Sequence, residues 1–158
     1  MMQISVCTAL SIFIIEMPAR KKKEIISESP EETASIAEDV VKDFKPGDVV
    51  YLYGELGSGK TVFVKGVCAA LGVQEDVTSP SFVIATEYEG SMKIAHIDLY
   101  RLPSGQVNEL PIEEYVAENG ITLIEWADRI EVGQRGIKIR FTIMDHEQRK
   151  IEIEDLRN

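Results

Sequence analysis

Residues 54–61 read Gly-Glu-Leu-Gly-Ser-Gly-Lys-Thr and match the pattern G-x-x-x-x-G-K-[ST] at every fixed position. Glycines in such a loop let successive main-chain N–H groups point inward at phosphate oxygens. Lys60 supplies a point charge for the β- and γ-phosphates, and the Thr61 hydroxyl is a ligand for Mg²⁺. The segment predicts a P-loop for a nucleoside triphosphate, with binding contacts from Glu55, Leu56, Gly57, Ser58, Gly59, Lys60, Thr61 and Val62.

Two acidic residues each follow the last residue of an apolar segment, and both are candidate catalytic residues. Asp98 follows a mostly apolar run over 93–97, and Glu125 follows another over 121–124. A charged residue at the end of a buried strand is costly unless it serves the crevice beyond the carboxyl edge of the sheet, where the P-loop also ends. Mg²⁺ held by phosphates and one hydroxyl usually needs a nearby carboxylate, so both acids are candidates for that role, with a solvated strand end as the alternative for either.

Three further features have two open interpretations each. His96 shares a strand face with Asp98, so it either orients Asp98 and the nucleotide region or is a buried structural histidine. Trp126 either shapes the pocket or belongs to the core. The segment 78–81 either contains a switch that senses the γ-phosphate, through the hydroxyls of Thr78, Ser79 and Ser81, or is an ordinary turn.

The flanking segments have the order that a P-loop requires. The continuous apolar run 49–53 is typical of a strand buried on both faces, and 61–71 has helical apolar spacing that ends at Gly72. The pattern also predicts strands at 24–27 and 121–126, hairpins at 82–99 and 136–153, and helices at 29–44 and 108–118. The fold class is therefore α/β, a single P-loop NTPase-like domain with a mixed parallel and antiparallel central sheet flanked by helices.

The bulk properties fit one globular domain. The chain has 158 residues and a net charge of −10, which disfavours tight nucleic-acid binding by the surface as a whole. The basic cluster 20–23 is predicted as a solvated flank before the first strand. Two cysteines without metal or redox spacing fit a reducing cytosol.

Residues 1–16 differ in composition from the rest of the chain. Residues 3–15 are mostly apolar, yet too short to span a bilayer as a helix, and the positive charge follows them instead of preceding them as in a signal peptide. We interpret 1–16 as an N-terminal extension or a start-site artefact, and 17–158 as the P-loop domain.

Together these segments resemble the TsaE family, also called YjeE, over roughly residues 24–143. The resemblance is carried by residues 54–61, 77–82, 96–102 and 124–126. It implies a cytoplasmic ATPase, slow alone, that is required for threonylcarbamoyladenosine (t6A) modification of tRNA. The implied cofactors are ATP and Mg²⁺. The implied partners are the TsaB and TsaD proteins, whose complex is reset by ATP hydrolysis, with tRNA contacted only indirectly and no membrane.

The resemblance also implies residue roles. Lys60 and Thr61 bind phosphate and Mg²⁺, and Ser79 and Ser81 belong to the switch segment. Asp98 is the acidic residue near the reaction centre, and Glu125 is the metal-linked carboxylate.

Three other functions use the same loop. A P-loop small-molecule kinase is the main alternative, but such kinases need an arginine-bearing lid, and no lid-sized insertion is evident after Gly72. A GTPase is disfavoured because the sequence contains no Asn-Lys-x-Asp segment. A nucleotide-gated binding module without turnover stays open.

Overall fold

The computed structural model describes residues 21–80, 84–103, 105–130 and 135–157. Within these ranges the chain forms seven strands and three α-helices. The strands are β1 (Lys21–Ser27), β2 (Val49–Tyr53), β3 (Ala85–Glu89), β4 (Lys93–Asp98), β5 (Gly120–Glu125), β6 (Ile137–Ile143) and β7 (Arg149–Asp155). The helices are α1 (Pro30–Val40), α2 (Lys60–Ala70) and α3 (Ile112–Tyr115).

One seven-stranded sheet runs in the order β1-β7-β6-β2-β5-β4-β3. Strands β6, β2, β5 and β4 are parallel, while β3 and the pair β7–β1 add antiparallel edges. This confirms the mixed sheet predicted from the apolar runs and both predicted hairpins. The carboxyl ends of β2, β4 and β5 meet at one edge, which is where the P-loop leaves the sheet.

The two faces of the sheet carry separate cores. Leu123 packs in a cluster with the apolar sides of α1 and α2, whereas its neighbour Ile124 packs in a second cluster with Leu99 and Val107. Adjacent residues of a strand point to opposite faces, so β5 contributes to both clusters, and all six of its residues are buried. A sheet buried on both faces at this point holds the strand ends that carry the site.

Helix α1 crosses α2 at very short range. A Cβ at Gly66 of α2 would lie 2.6 Å from the Ala34 carbonyl oxygen and 2.8 Å from the Ala37 Cβ. The absence of a side chain at this position is what permits the approach of α1. Ser29 caps α1 by accepting a hydrogen bond from the Glu32 N–H at 3.0 Å, and Pro30 occupies the first turn, as the sequence predicted.

Three sequence predictions need correction. The helix predicted over 108–118 is interrupted at Pro111, and the structure has a 3₁₀ turn at Val107–Glu109 followed by the four-residue α3. Residues 21–23 of the basic cluster, predicted as a flank, are the exposed start of β1 and pair with β7. The hairpin predicted over 82–99 has its first strand at Ala85–Glu89, and residues 81–83 lie outside the described residues.

Residues 1–16, interpreted above as an extension or artefact, also lie outside the described residues. In the part of the chain that the structure describes, no helix has the length and apolar character needed to cross a bilayer.

Candidate functional site

The phosphate loop connects β2 to α2 through residues 54–59. Gly54 has φ 152°, and a Cβ there would lie 2.5 Å from Ser58 Oγ and 2.8 Å from the Phe141 carbonyl oxygen. The loop therefore turns against β6 in a way that only glycine fits. Helix α2 begins immediately afterwards at Lys60, and the first N–H groups of a helix have no acceptors within it. Such a helix start is suited to an anion.

Lys60 is a buried cation held by neutral groups. Its side chain is only 4% exposed, and its Nζ donates to the carbonyl oxygens of Gly54 (2.7 Å) and Glu55 (2.9 Å). Among the described residues, no carboxylate oxygen lies within 4.0 Å of this ammonium group. Burial lowers the pKa of Lys60 from its ordinary value, and more distant carboxylates oppose that shift. A buried ammonium group without a close counter-ion is a site for an anion.

Glu125, at the end of β5, accepts hydrogen bonds from α2 and contacts a side chain of β4. The Thr61 hydroxyl at the start of α2 donates to Glu125 Oε1 at 3.0 Å and Oε2 at 3.1 Å. His96 Nε2 on β4 lies 2.9 Å from Glu125 Oε1. Glu125 is 2% exposed and His96 is fully buried. The structure thus brings Glu125 into contact with Thr61. His96 contacts Glu125 across the strands, whereas the sequence pattern offered Asp98 as its partner.

Asp98 holds the segment that follows α2. Its Oδ2 accepts a hydrogen bond from the Ser79 hydroxyl, and its Oδ1 accepts one from the Tyr100 N–H at 2.9 Å. The bond to Ser79 links the acidic candidate on β4 to the candidate switch. Of the other two switch residues, Thr78 accepts a hydrogen bond from the Tyr88 hydroxyl through its carbonyl oxygen, and Ser81 lies outside the described residues.

Trp126 forms an aromatic wall over the phosphate loop. The Lys60 Nζ lies 4.0 Å from the centroid of its ring, and the Tyr100 ring packs on it with centroids 4.8 Å apart. Trp126 has φ 59° and ψ 41°, the left-handed conformation that is uncommon for a bulky residue. The half-buried indole lines the site and also packs against the second core cluster, so both alternatives that the sequence left open describe part of its role.

These residues surround one cavity of about 630 Å³. Most of the predicted site residues line it: Leu56, Gly57, Ser58, Gly59, Lys60, Thr61, Val62, Ser79, Asp98 and Glu125. Glu55 and Thr78 are not part of the lining, although the Glu55 carbonyl oxygen accepts from Lys60. The volume lies within the range of ligand pockets, about 300–1,000 Å³.

The structure adds residues that sequence reasoning had not assigned to the site. Tyr100 and Arg101 line the cavity, and their position two and three residues after Asp98 is a signal that could have identified them. Arg149, at the start of β7, donates to the Gly57 carbonyl oxygen at 3.2 Å. No sequence signal links Arg149 to the loop, because the contact depends on the placement of the closing hairpin.

The sequence matches a protein-family model across most of its length. The model, described as the threonylcarbamoyl adenosine biosynthesis protein TsaE, matches residues 27–152. This range contains every residue of the site described above.

Individual relatives and a solved structure agree with the family match. The tRNA threonylcarbamoyladenosine biosynthesis protein TsaE of Aquifex aeolicus is 39% identical over 134 residues, which cover 83% of this chain and 95% of that protein. The protein of the same description from Bacillus subtilis is 43% identical over 104 residues, 65% of each chain. The crystal structure of YdiB from Bacillus subtilis superposes with a TM-score of 0.75 at 34% identity and 87% coverage of both chains.

Proposed function

The chain belongs to the TsaE family of threonylcarbamoyl adenosine biosynthesis proteins, and from this membership we propose that it is an Mg²⁺-dependent ATPase. Its role lies in the t6A biosynthesis of tRNA, as the descriptions of its relatives state. The observation that carries the proposed activity is the buried Lys60 ammonium group at the start of α2, held by main-chain carbonyl groups in a cavity large enough for a nucleotide.

The residues of the loop fit a triphosphate. The Lys60 Nζ keeps its position with two neutral acceptors, so its charge is available to the β- and γ-phosphates. Ser58 is 99% buried beneath the loop, and its Oγ lies 3.4 Å from the Lys60 Nζ. The narrow turn at Gly54 and the free N–H groups at the start of α2 provide the remaining contacts.

Thr61 and Glu125 fit a hard cation beside the phosphates. A hydroxyl that donates its hydrogen atom to a carboxylate keeps its oxygen lone pairs for another ligand. The chemistry that a bound Mg²⁺ supplies in such sites is neutralisation of the charge on the phosphate oxygens. Thr61 would be its direct protein ligand, and Glu125 would fix the orientation of that ligand.

Asp98 and Ser79 supply the proposed response to the γ-phosphate. Both line the cavity, and their hydrogen bond joins the end of β4 to the segment after α2. A change in the surroundings of Asp98 during hydrolysis would therefore move the candidate switch. We assign to this segment the transmission of the nucleotide state to a complex of TsaB and TsaD, in the cytoplasm, with tRNA contacted only through that complex.

Two measurements test the proposed function. Isothermal titration of the purified protein with ATP in the presence of Mg²⁺ should give saturable binding, and GTP should bind less tightly. Phosphate release should be slow for the protein alone and increase when TsaB and TsaD are added. Binding without phosphate release in either condition would instead identify a nucleotide-gated module, and transfer of phosphate to a small molecule would identify a kinase.

A further inference from the structure

His96 occupies a position that packing does not explain. Its side chain is fully buried on β4, yet among the described residues its Nδ1 has no hydrogen-bond partner. A buried polar atom without a partner costs about 1–3 kcal/mol. Since an apolar side chain would avoid this cost, the advantage of a histidine must come from its other nitrogen.

That nitrogen contacts Glu125. His96 pairs with Leu123 in the register of the parallel strands, so the contact from its Nε2 to Glu125 Oε1 at 2.9 Å is diagonal, to the residue two positions further along β5. A carboxylate can only accept hydrogen bonds, so the imidazole donates from Nε2. The ring therefore carries a hydrogen atom on Nε2, and Nδ1 is the atom without a partner among the described residues.

Glu125 consequently receives hydrogen bonds from two elements that do not belong to its own strand. Thr61 donates from the start of α2, and His96 donates from β4. With one oxygen held by β4, the carboxylate has little freedom to rotate away from Thr61. Hydrogen bonds thus link His96 to Glu125 and Glu125 to Thr61, so that His96 fixes the orientation of Glu125, which in turn fixes that of Thr61.

We propose that His96 is a positioning residue of the nucleotide site: through Glu125 it orients the Thr61 hydroxyl so that its lone pairs face the cation. His96 has this role only if the cavity binds Mg²⁺ with nucleotide, as proposed above. It does not contact the nucleotide itself, so it should affect the contribution of Mg²⁺ to binding and leave Mg²⁺-free binding unchanged. Outer partners of metal ligands typically contribute about 10- to 100-fold to metal affinity or activity.

A matched set of variants separates the donor from the volume of the side chain. His96→Gln places an amide N–H near the position of Nε2, whereas His96→Asn carries the same amide on a shorter side chain that does not reach Glu125. His96→Leu removes the donor and keeps an apolar volume. Leu123→Val, at the paired position of β5 and equally buried, controls for loosened packing.

The readout is the ratio of the ATP dissociation constants measured in EDTA and in Mg²⁺. We expect His96→Asn and His96→Leu to reduce this ratio by about 10- to 100-fold. His96→Gln and Leu123→Val should keep it near the wild-type value. The ATP affinity in EDTA should be the same for every variant, and the midpoint of thermal unfolding should not correlate with the ratio.

Three results would overturn the role of His96. An unchanged ratio in His96→Asn would show that Glu125 needs no donor from β4. Equal losses in the Asn and Gln variants, or losses that follow the unfolding midpoint, would show a purely structural histidine. Should His96→Leu fail to fold, the comparison of Asn with Gln decides the question. If the wild-type protein itself binds no ATP with Mg²⁺, the proposed function fails too, whereas wild-type binding with unaffected variants rejects only the positioning role.

Discussion

Asp98 and Glu125 are directly paired in the register of the parallel strands β4 and β5. Neighbouring strands lie about 4.8 Å apart, and paired residues project from the same face, so the two acidic side chains are close neighbours. They nevertheless have different partners, because Asp98 binds Ser79 and Glu125 binds Thr61 and His96. In the proposed function, this difference in partners gives the two acids different roles: Asp98 holds the candidate switch, and Glu125 orients Thr61.

Replacing Glu125 should separate binding from turnover. Glu125→Ala removes the acceptor of the Thr61 hydroxyl and leaves Lys60 and the loop in place, so much of the nucleotide affinity should remain. Phosphate release in the presence of TsaB and TsaD should fall by about 10- to 100-fold or more. Glu118→Gln, on the exposed surface, is the control and should release phosphate at the wild-type rate. Full turnover in Glu125→Ala would remove Glu125 from the mechanism.

Replacing Lys60 should weaken nucleotide binding by removing the positive charge that faces the phosphates. A charged hydrogen bond contributes about 1.5–3 kcal/mol, so Lys60→Ala should weaken ATP binding by about 10- to 100-fold in calorimetric titration. Lys65→Ala provides a matched control, because Lys65 is an exposed lysine of the same helix. Equal affinities for ATP in wild type and Lys60→Ala would show that the loop is not the phosphate site.

Adding a side chain at the close contact between α1 and α2 should destabilise the fold. Gly66→Ala would place a Cβ 2.6 Å from the Ala34 carbonyl oxygen, so the helices must separate. Chemical denaturation should show a loss of about 1–3 kcal/mol, the usual cost of overpacking. Gly105→Ala has open space around its Cβ and should leave the midpoint unchanged. A neutral Gly66→Ala variant would mean that the helix contact adjusts freely.

Removing Arg157 should lower stability in a pH-dependent way. Its guanidinium group binds Asp48 Oδ2 at 2.7 Å and Asp155 Oδ2 at 2.6 Å, and the hydrogen bond from Arg157 holds the pKa of Asp155 below its ordinary value of 3.8. A lowered carboxyl pKa stabilises the folded state above 3.8, and this stabilisation is lost as the pH falls through the lower, folded-state pKa. Arg157→Ala should therefore be less stable by about 1 kcal/mol at pH 7, after allowance for the partial exposure of the pair.

The matching experiment compares unfolding free energies from pH 7 down to pH 3. The difference between wild type and Arg157→Ala should be constant down to about pH 4 and then shrink. Lys42→Ala breaks an ion pair with Asp39 that is also 2.6 Å long but exposed, and should have no measurable effect. A difference that grows towards acid pH would contradict the assigned role of Asp155.

Local patterns predicted the loop and its flanks because the relevant physics is local. The apolar run before Gly54 and the helical spacing after Lys60 determine their own conformations, and the structure has β2 and α2 where they were predicted. The helix predicted over 108–118 was wrong because Pro111 interrupts the helical pattern. The apolar residues Leu110 and Ile112 on either side of it instead pack against the second core cluster. A single proline outweighs a favourable periodicity in so short a segment.

Contacts between strands could not be predicted in the same way. The pairing of His96 with Glu125 depends on the register of β4 against β5, and the contact of Arg149 with Gly57 depends on the order of strands in the sheet. Neither the register of two strands nor the order of strands in the sheet can be inferred from the residues next to those that make the contact. The alternation along β4 placed His96 and Asp98 on one face, but only the register showed that the histidine reaches the acid of the next strand.

The position of β2 between β5 and β6 has a consequence for synthesis of the chain. Both neighbours of β2, strands β5 and β6, come later in the sequence. When only the residues up to the P-loop have left the ribosome, both edges of the apolar strand β2 are therefore unpaired. The contact of Gly54 in the loop with Phe141 of β6 forms only after β6, which ends at Ile143, has been translated. Fragments that end before β6 should accordingly aggregate or recruit chaperones, and nucleotide should be unable to rescue them.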